Sequence, residues 1–344
     1  MLRWSNSFGG TLMKLGVFLQ AQWDLRDPET ELEEGIAGLV RQAELADGIG
    51  YESVWLPQHY VSAPYASIQP GPLMGLLAGQ TKRVRLGTGV YLLPFTHPVV
   101  LAEEMASLDW LTGGRLIFGA GMGYRSDEFA AMGVPMNERV GRFTDGLALV
   151  RRLWSEDNVS HRGKYFSVEN VSISLKPKQR PGPPVWIGGS VAAAIRRAAR
   201  IGDVWVSSMN PSFEELRMLL SEFEDARVGL PPAPERPTMR ECYIAASEEE
   251  AFDDVRDILY AKYNAYQSWG VASSSTKVGG RDEFDDFMRA KFLVGDVRSV
   301  TARMRWLCDE LGIDHVIARV RWPGLPEAKA LATMQRLMDV TAAL

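Results

Sequence analysis

Val84 to Phe129 reads V-R-L-G-T-G-V-Y-L-L-P-F-T-H-P-V-V-L-A-E-E-M-A-S-L-D-W-L-T-G-G-R-L-I-F-G-A-G-M-G-Y-R-S-D-E-F, and its internal rhythm decides the fold class. Val84 to Leu93 is β-branched and apolar and ends at Pro94, the pattern of a strand buried on both faces. Pro98 suits the first turn of a helix. Leu101, Met105, Leu108 and Leu111 then recur at helical spacing and give one apolar face. Thr112-Gly113-Gly114 stops that helix, because glycine takes the left-handed conformation that helix ends use. Arg115 to Gly119 is the next strand, and Ala120-Gly121-Met122-Gly123 leaves its end almost bare of side chains. The stretch is one βαβ unit with a glycine-lined opening at the strand ends, where parallel α/β folds bind ligands.

Working outward, strands are expected at Lys14–Leu19, Tyr51–Leu56, Pro184–Gly189, Gly202–Ser207, Met239–Ala246 and His315–Val320. Helices are expected at Glu31–Gly50, Gln69–Thr81, Glu138–Trp154, Val191–Ile201, Phe213–Arg227, Val297–Leu311 and Glu327–Val340, with Ser190 capping the fourth of these. Val159 to Val168 alternates around Arg162-Gly163 as a β-hairpin would. Glu248 to Glu283 breaks the rhythm: acidic, then aromatic (Tyr260, Tyr263, Tyr266, Trp269), then rich in Gly and Ser. It reads as an irregular insertion, whose aromatic residues either pack on the core or form a lid. Residues 1–12 read as a flexible leader and 13–344 as one domain, with the insertion at about 248–290. Eight strands alternating with helices fit a (β/α)8 TIM barrel, with a doubly wound sheet as the alternative.

The chain's 344 residues carry a net charge of −5, which gives no reason to expect nucleic acid or an anionic membrane as partner. No apolar run long enough for a membrane span is present. Cys242 and Cys308 are too few and too far apart for a disulfide framework or metal cluster, so no metal is expected and a reducing, cytoplasmic setting is. The nucleophile elbow, the zinc-binding H-E-x-x-H and the phosphate loop are all missing. Gly119-Ala120-Gly121-Met122-Gly123 approaches the dinucleotide fingerprint, but Tyr124 stands where its third glycine belongs, and it follows the fourth strand rather than the first.

The segments G-T-G-V-Y-L-L-P-F-T-H-P, S-L-D-W-L-T-G-G-R and F-G-A-G-M-G-Y-R-S-D-E-F resemble the bacterial luciferase-like monooxygenases, TIM barrels that bind FMN or the deazaflavin F420. The resemblance runs from Lys14 to about Trp205, fades between Ser207 and Lys291, and resumes loosely at Phe292–Val300. It decides for the barrel. It implies a non-proline cis bond at Gly89-Val90 behind the flavin ring. It also implies a cofactor phosphate held between Gly121, Met122, Gly123 and Tyr124 and the turn Gly188-Gly189-Ser190, where backbone N–H groups and a helix dipole favour an anion. Arg196 and Arg197 either add charge there or face solvent.

His59 follows the second strand in S-V-W-L-P-Q-H-Y and resembles the family histidine beside the flavin. Imidazole suits proton transfer near neutrality; the alternative is a hydrogen-bonded structural histidine. Many relatives carry an acidic residue before it, and this chain has Gln58. His97 reads as a helix-start residue and Arg142 as the i, i+4 partner of Glu138.

The resemblance thus implies a monooxygenase using reduced FMN from a separate flavin reductase on a small apolar organic substrate, commonly as a homodimer. Two further readings stand beside it: hydride transfer with F420 without oxygen, and a flavin-binding barrel that has lost catalysis.

Overall fold

The computed structural model describes residues 13–27, 31–268 and 278–344. The expected leader and Trp269 lie outside the described residues, as does the side chain of Tyr266. Eight strands form the frame: β1 (Lys14–Phe18), β2 (Ser53–Leu56), β3 (Arg85–Thr88), β4 (Leu116–Gly121), β5 (Val185–Gly188), β6 (Val204–Val206), β7 (Pro237–Ile244) and β8 (His315–Arg319). They pair in parallel in the order β6-β5-β4-β3-β2-β1-β8-β7. A parallel bridge between Ser207 and Thr238 joins the last strand to the first, and the Ser207 and Thr238 hydroxyls meet at 2.8 Å. The sheet therefore closes on itself, as a (β/α)8 barrel requires.

Among the helices that cover it are α1 (Leu32–Ile49), α2 (Pro70–Gln80), α3 (Pro98–Leu111), α4 (Arg139–Ser155), α5 (Ala192–Ile201), α6 (Phe213–Arg227), α7 (Val297–Leu311) and α8 (Glu327–Ala342). Leu101, Met105 and Leu108 of α3 are buried as the periodicity requires, whereas Leu111, expected on the same face, is exposed at the helix end, and Gly113 and Gly114 follow with φ of +73° and +88°. The hairpin forms between Val159–Arg162 and Ser167–Val171.

Two expectations are corrected. Glu248–Ser268 is a continuous helix, not irregular: its buried face (Ala251, Phe252, Val255, Leu259, Tyr263) keeps helical spacing beneath an acidic exterior. A helix (Phe284–Lys291) and a short strand (Leu293–Gly295, pairing with β7) follow before α7. The third strand is also shorter than its apolar run, for it stops at Thr88 and pairing with β4 resumes only at Tyr91–Leu92.

Two apolar layers hold the barrel. One lies between strands and helices; the other, inside the barrel, comprises Phe18, Trp55, Ile117, Trp186, Val204, Val206, Met209, Met239 and Ile317. Trp55 and Trp186 meet there with ring centroids 4.9 Å apart. Their bulk is accommodated by glycines: a Cβ on Gly87 would lie 2.6 Å from the Trp55 ring. Below them, His315 Nε2 meets Ser53 Oγ at 2.9 Å and its Nδ1 meets Glu235 at 3.0 Å. Burial alone would raise the Glu235 carboxyl, but bonds from His315 and Arg85 outweigh it and hold it well below the usual range. Burial keeps His315 itself neutral at neutral pH, so the positive charge facing Glu235 comes from Arg85 and Lys14.

Gly119 meets the tightest limit. A Cβ there would stand 1.7 Å from the carbonyl oxygen of Thr88, whose hydroxyl also bridges Gly119 N and O at 3.0 and 2.7 Å. Backbone cannot swing aside as a side chain can, so Gly119→Ala is expected to cost about 3 kcal/mol or more. Denaturant unfolding measures it, and an unchanged midpoint would contradict this packing.

Candidate active site

The strand ends open on one side of the barrel, and the glycine-rich segments meet there. The Gly89–Val90 peptide is cis. Val90 turns its side chain into a gap between two strand ends: a Cβ on Gly121 would lie 2.3 Å from Val90 Cγ2, and one on Gly188 would lie 3.0 Å from Cγ1. Gly89 faces the interior, where a Cβ would meet Phe18 at 2.9 Å and Met239 at 3.1 Å. The glycines of three successive strands thus form one shelf with Val90 at its centre.

One side of the shelf is basic. Gly123 turns with φ +75° and places Tyr124 half-exposed at the rim. Met122 Sδ lies 3.4 Å from Arg197 Nη1. Arg196, one residue earlier on α5, points away and pairs with Glu222 at 2.5 Å. Of the two adjacent arginines, only Arg197 belongs to the mouth. Burial and the charge of Arg139 both push the Arg197 guanidinium below its ordinary value. Among the described residues neither Arg139 nor Arg197 has a recorded carboxylate partner, and the charge of Arg139 acts on Arg197 in the second turn of α5. That donor set fits a dianion such as a phosphate. Ser190 does not cap α5: Val191 occupies the cap position without a side-chain bond, and the Ser190 hydroxyl faces Ser208 at 3.5 Å. The chain leaves the strand at Gly188 and bends at Ser190, so the helix starts one residue later and Ser190 is left exposed.

His59 stands beside Tyr124, with ring centroids 6.4 Å apart. Its Nδ1 lies 3.3 Å from Oε1 of Glu128, a carboxylate with side-chain exposure of only 1%. The same oxygen accepts the Tyr60 N–H at 2.9 Å, and Arg125 Nη1 stands 3.7 Å away. Gln58, where the resemblance led one to look for an acid, is buried and structural. Its oxygen accepts the Leu92 N–H at 2.6 Å, and its amide donates to the Tyr60 hydroxyl at 3.0 Å. Burial pushes that hydroxyl up to about 12, so Tyr60 stays protonated.

A third wall comes from β7 and the helix Glu248–Ser268. Glu241 is fully buried, bonded by Lys262, by Trp322 Nε1 at 2.6 Å and by the Tyr263 hydroxyl at 3.3 Å. Tyr263 therefore packs on the barrel, and Tyr260 packs against Phe284 at 5.3 Å. His97 accepts the Val99 N–H at 3.3 Å, a helix-start role, and Arg142 pairs with Glu138 at 3.7 Å. Glu128 and Arg139 escaped the sequence reading. Each meets its partner only through space, although both belong to segments already singled out. Among the described residues no helix is long and apolar enough to cross a membrane.

A profile of the luciferase-like monooxygenases matches residues 13–315, and the chain belongs to that family. It is 29% identical over 238 residues to the oxygenase component of the flavin-dependent trigonelline monooxygenase of Acinetobacter baylyi, covering 67% of this chain and 65% of that one. It is 26% identical over 300 residues to the F420-dependent glucose-6-phosphate dehydrogenase of Amycolatopsis mediterranei, covering 82% and 88%. The chain spans 65%, 53% and 47% of the length of the first curated relatives it matches. The crystal structure of the monooxygenase RslO1 from Streptomyces bottropensis superposes with a TM-score of 0.78 at 28% identity, covering 96% of this chain and 99% of that one.

Replacing Gln58 by Leu removes the acceptor of the buried Leu92 N–H. The loss is expected to cost about 1 to 3 kcal/mol, the penalty of an unsatisfied buried donor. Urea unfolding of Gln58→Leu against wild type measures it, and equal stability would show that this bond does not hold the mouth.

Proposed function

We propose that the chain is the oxygenase of a two-component system, taking reduced FMN from a separate flavin reductase and using O2 to oxygenate a small apolar organic substrate. The observation that carries this reading is the pair Arg139 and Arg197, without a recorded carboxylate partner among the described residues, with Arg197 on Met122 next to the glycine shelf and His59 held by Glu128 near the same loop. A phosphate placed between the arginines and the start of α5 leaves the flat part of the cofactor to lie over Gly89, Val90 and Gly121. Reduced flavin supplies the electrons and the oxygen activation; the protein binds it, orients it and sheds water. His59 is the acid–base group, with one imidazole nitrogen held by Glu128 and the other open. The trigonelline relative, named as an oxygenase component, supports the separate reductase. A homodimer is part of the proposal, supported by exposed Leu76 on α2 and exposed Val100 and Leu111 on α3.

Hydride transfer with F420 is the second reading, favoured by the dehydrogenase relative matched over most of both chains. Titration of the purified protein with FMN, reduced FMN and F420 decides between them. Preference for reduced FMN supports the oxygenase, tight F420 with weak FMN supports hydride transfer, and binding of none overturns both.

Two substitutions test the assignments separately. Arg197→Ala removes one charge-assisted contact and is expected to weaken FMN about tenfold while leaving riboflavin, which lacks the phosphate, unchanged. Equal weakening of both flavins would place the phosphate elsewhere. His59→Ala is expected to lower oxygenation of a panel of small ketones, alkenes and aldehydes by about 100-fold, with flavin affinity retained. Parallel loss of affinity, or no loss of turnover, would remove His59 from the chemistry.

A further inference from the structure

A neutral imidazole carries one proton on either of two nitrogens, and which nitrogen holds it decides whether the open one gives or takes a hydrogen bond. His59 is pinned from several directions. Its carbonyl accepts from Gln69 Nε2 at 2.8 Å, and its chain neighbour Tyr60 donates its N–H to Glu128 Oε1 at 2.9 Å. That same oxygen meets His59 Nδ1 at 3.3 Å, so one carboxylate atom fixes both the backbone beside the ring and the ring itself. Glu128 Oε1 already accepts the Tyr60 N–H, with Arg125 Nη1 3.7 Å away, so it meets the ring as an acceptor. The proton of the contact must then sit on Nδ1. Nε2, across the ring, has no protein partner among the described residues, and the ring meets Tyr124 edge-on at 6.4 Å.

Among the described residues, the charged and titratable groups recorded around the ring are Glu128 and Arg125 from the segment after β4, Arg125 being shared with Asp127, together with Tyr124 and the Tyr60 hydroxyl. Gln58 contributes no charge.

We propose that Glu128 is a positioning residue: it holds His59 in the tautomer protonated at Nδ1, so that Nε2 faces the mouth as a hydrogen-bond acceptor and base. This rests on the reading of His59 as the acid–base group of the site. It adds a direction, for the neutral ring takes a proton from what is bound rather than giving one. Glu128 also stands in for the acidic neighbour that Gln58 replaces, reaching the ring from 69 residues further along the chain.

The chain has only four histidines, so long-range proton–nitrogen spectra of the 15N-histidine-labelled protein, without cofactor, read the ring directly. His59→Asn assigns the signals. The expected result is His59 with its proton on Nδ1 and none on Nε2. In the near-isosteric Glu128→Gln, whose amide can donate to Nδ1 as well as accept from it, the Nδ1 tautomer is no longer held and the signal of the Nε2–H tautomer appears. Glu128→Asp, which keeps the carboxylate, retains the Nδ1 tautomer. Turnover falls in Glu128→Gln, while FMN affinity is unchanged. A proton on Nε2 in the wild type, or an unchanged tautomer in Glu128→Gln, overturns the proposal. The two readings fail separately: the spectra need no cofactor, so a protein that binds neither FMN nor F420 can still show the Nδ1 tautomer. Flavin binding with an indifferent His59 would remove only the role of Glu128.

Discussion

The indole of Trp55 fills the middle of the barrel, and that single demand for space runs through the rest of the molecule. A barrel of eight strands has an interior that side chains must fill without voids. Two tryptophans do most of it here, and the strands beside them give way as glycine at Gly87 and Gly119. With no side chain on Gly119, β3 and β4 approach until the Thr88 carbonyl occupies the place of a Cβ. That closeness brings the next residues of both strands together above the tryptophans. Val90 then drops between Gly121 and Gly188, and the shelf of the mouth is complete. The filling of the core and the bareness of the site are two ends of the same packing.

This explains why the glycine-rich stretch was the legible part of the sequence. Gly89 read as a close approach because glycine in a strand has few other uses, and the bareness of Gly121 to Gly123 followed from composition alone. The eight strands were legible for a similar reason, since strands buried on both faces are short apolar runs with clear stops. The helix at Glu248–Ser268 was not, because its exterior is acidic and its buried face is carried by aromatic residues. The eye takes such a stretch for a loop until the spacing of Phe252, Val255, Leu259 and Tyr263 is laid on a helix. Ser190 misled in the opposite sense. Serine after two glycines is a common cap, but the chain bends at Ser190 and the helix starts one residue later than the cap needs.

The site itself was half legible. Residues that act through their own backbone, as the glycines do, declare themselves in sequence. Residues that act on one another through space do not. Arg196 and Arg197 are equivalent in sequence, and only the helix phase sends one to Glu222 and the other to Met122. Arg139 lies where a helix begins, with nothing local to show that its charge acts on Arg197. The acid that serves His59 was sought next to it, at Gln58, because local neighbours are all that a sequence displays. Gln58 instead spends its amide on the backbone of Leu92 and the hydroxyl of Tyr60.

The charges of the mouth are arranged by separation rather than by pairing. On the α5 side the Arg139 charge acts on Arg197 and no counter-charge is recorded among the described residues, an arrangement that costs folding energy and that a bound anion would offset. On the β2 side the buried Glu128 is compensated by Arg125, by the Tyr60 N–H and by the His59 ring, so that side needs no ligand to be satisfied. Between them lie the apolar side chains of Phe18, Val90 and Met239, with the buried Arg319 guanidinium 5.8 Å from the Phe18 ring centroid. On the proposed reading, the Arg139–Arg197 pair would draw in the anionic end of the cofactor, and His59, held by Glu128, would meet what is bound. Binding and proton transfer would then fall to different side chains, with Tyr124 both beside the His59 ring and two residues from the Met122 that touches Arg197.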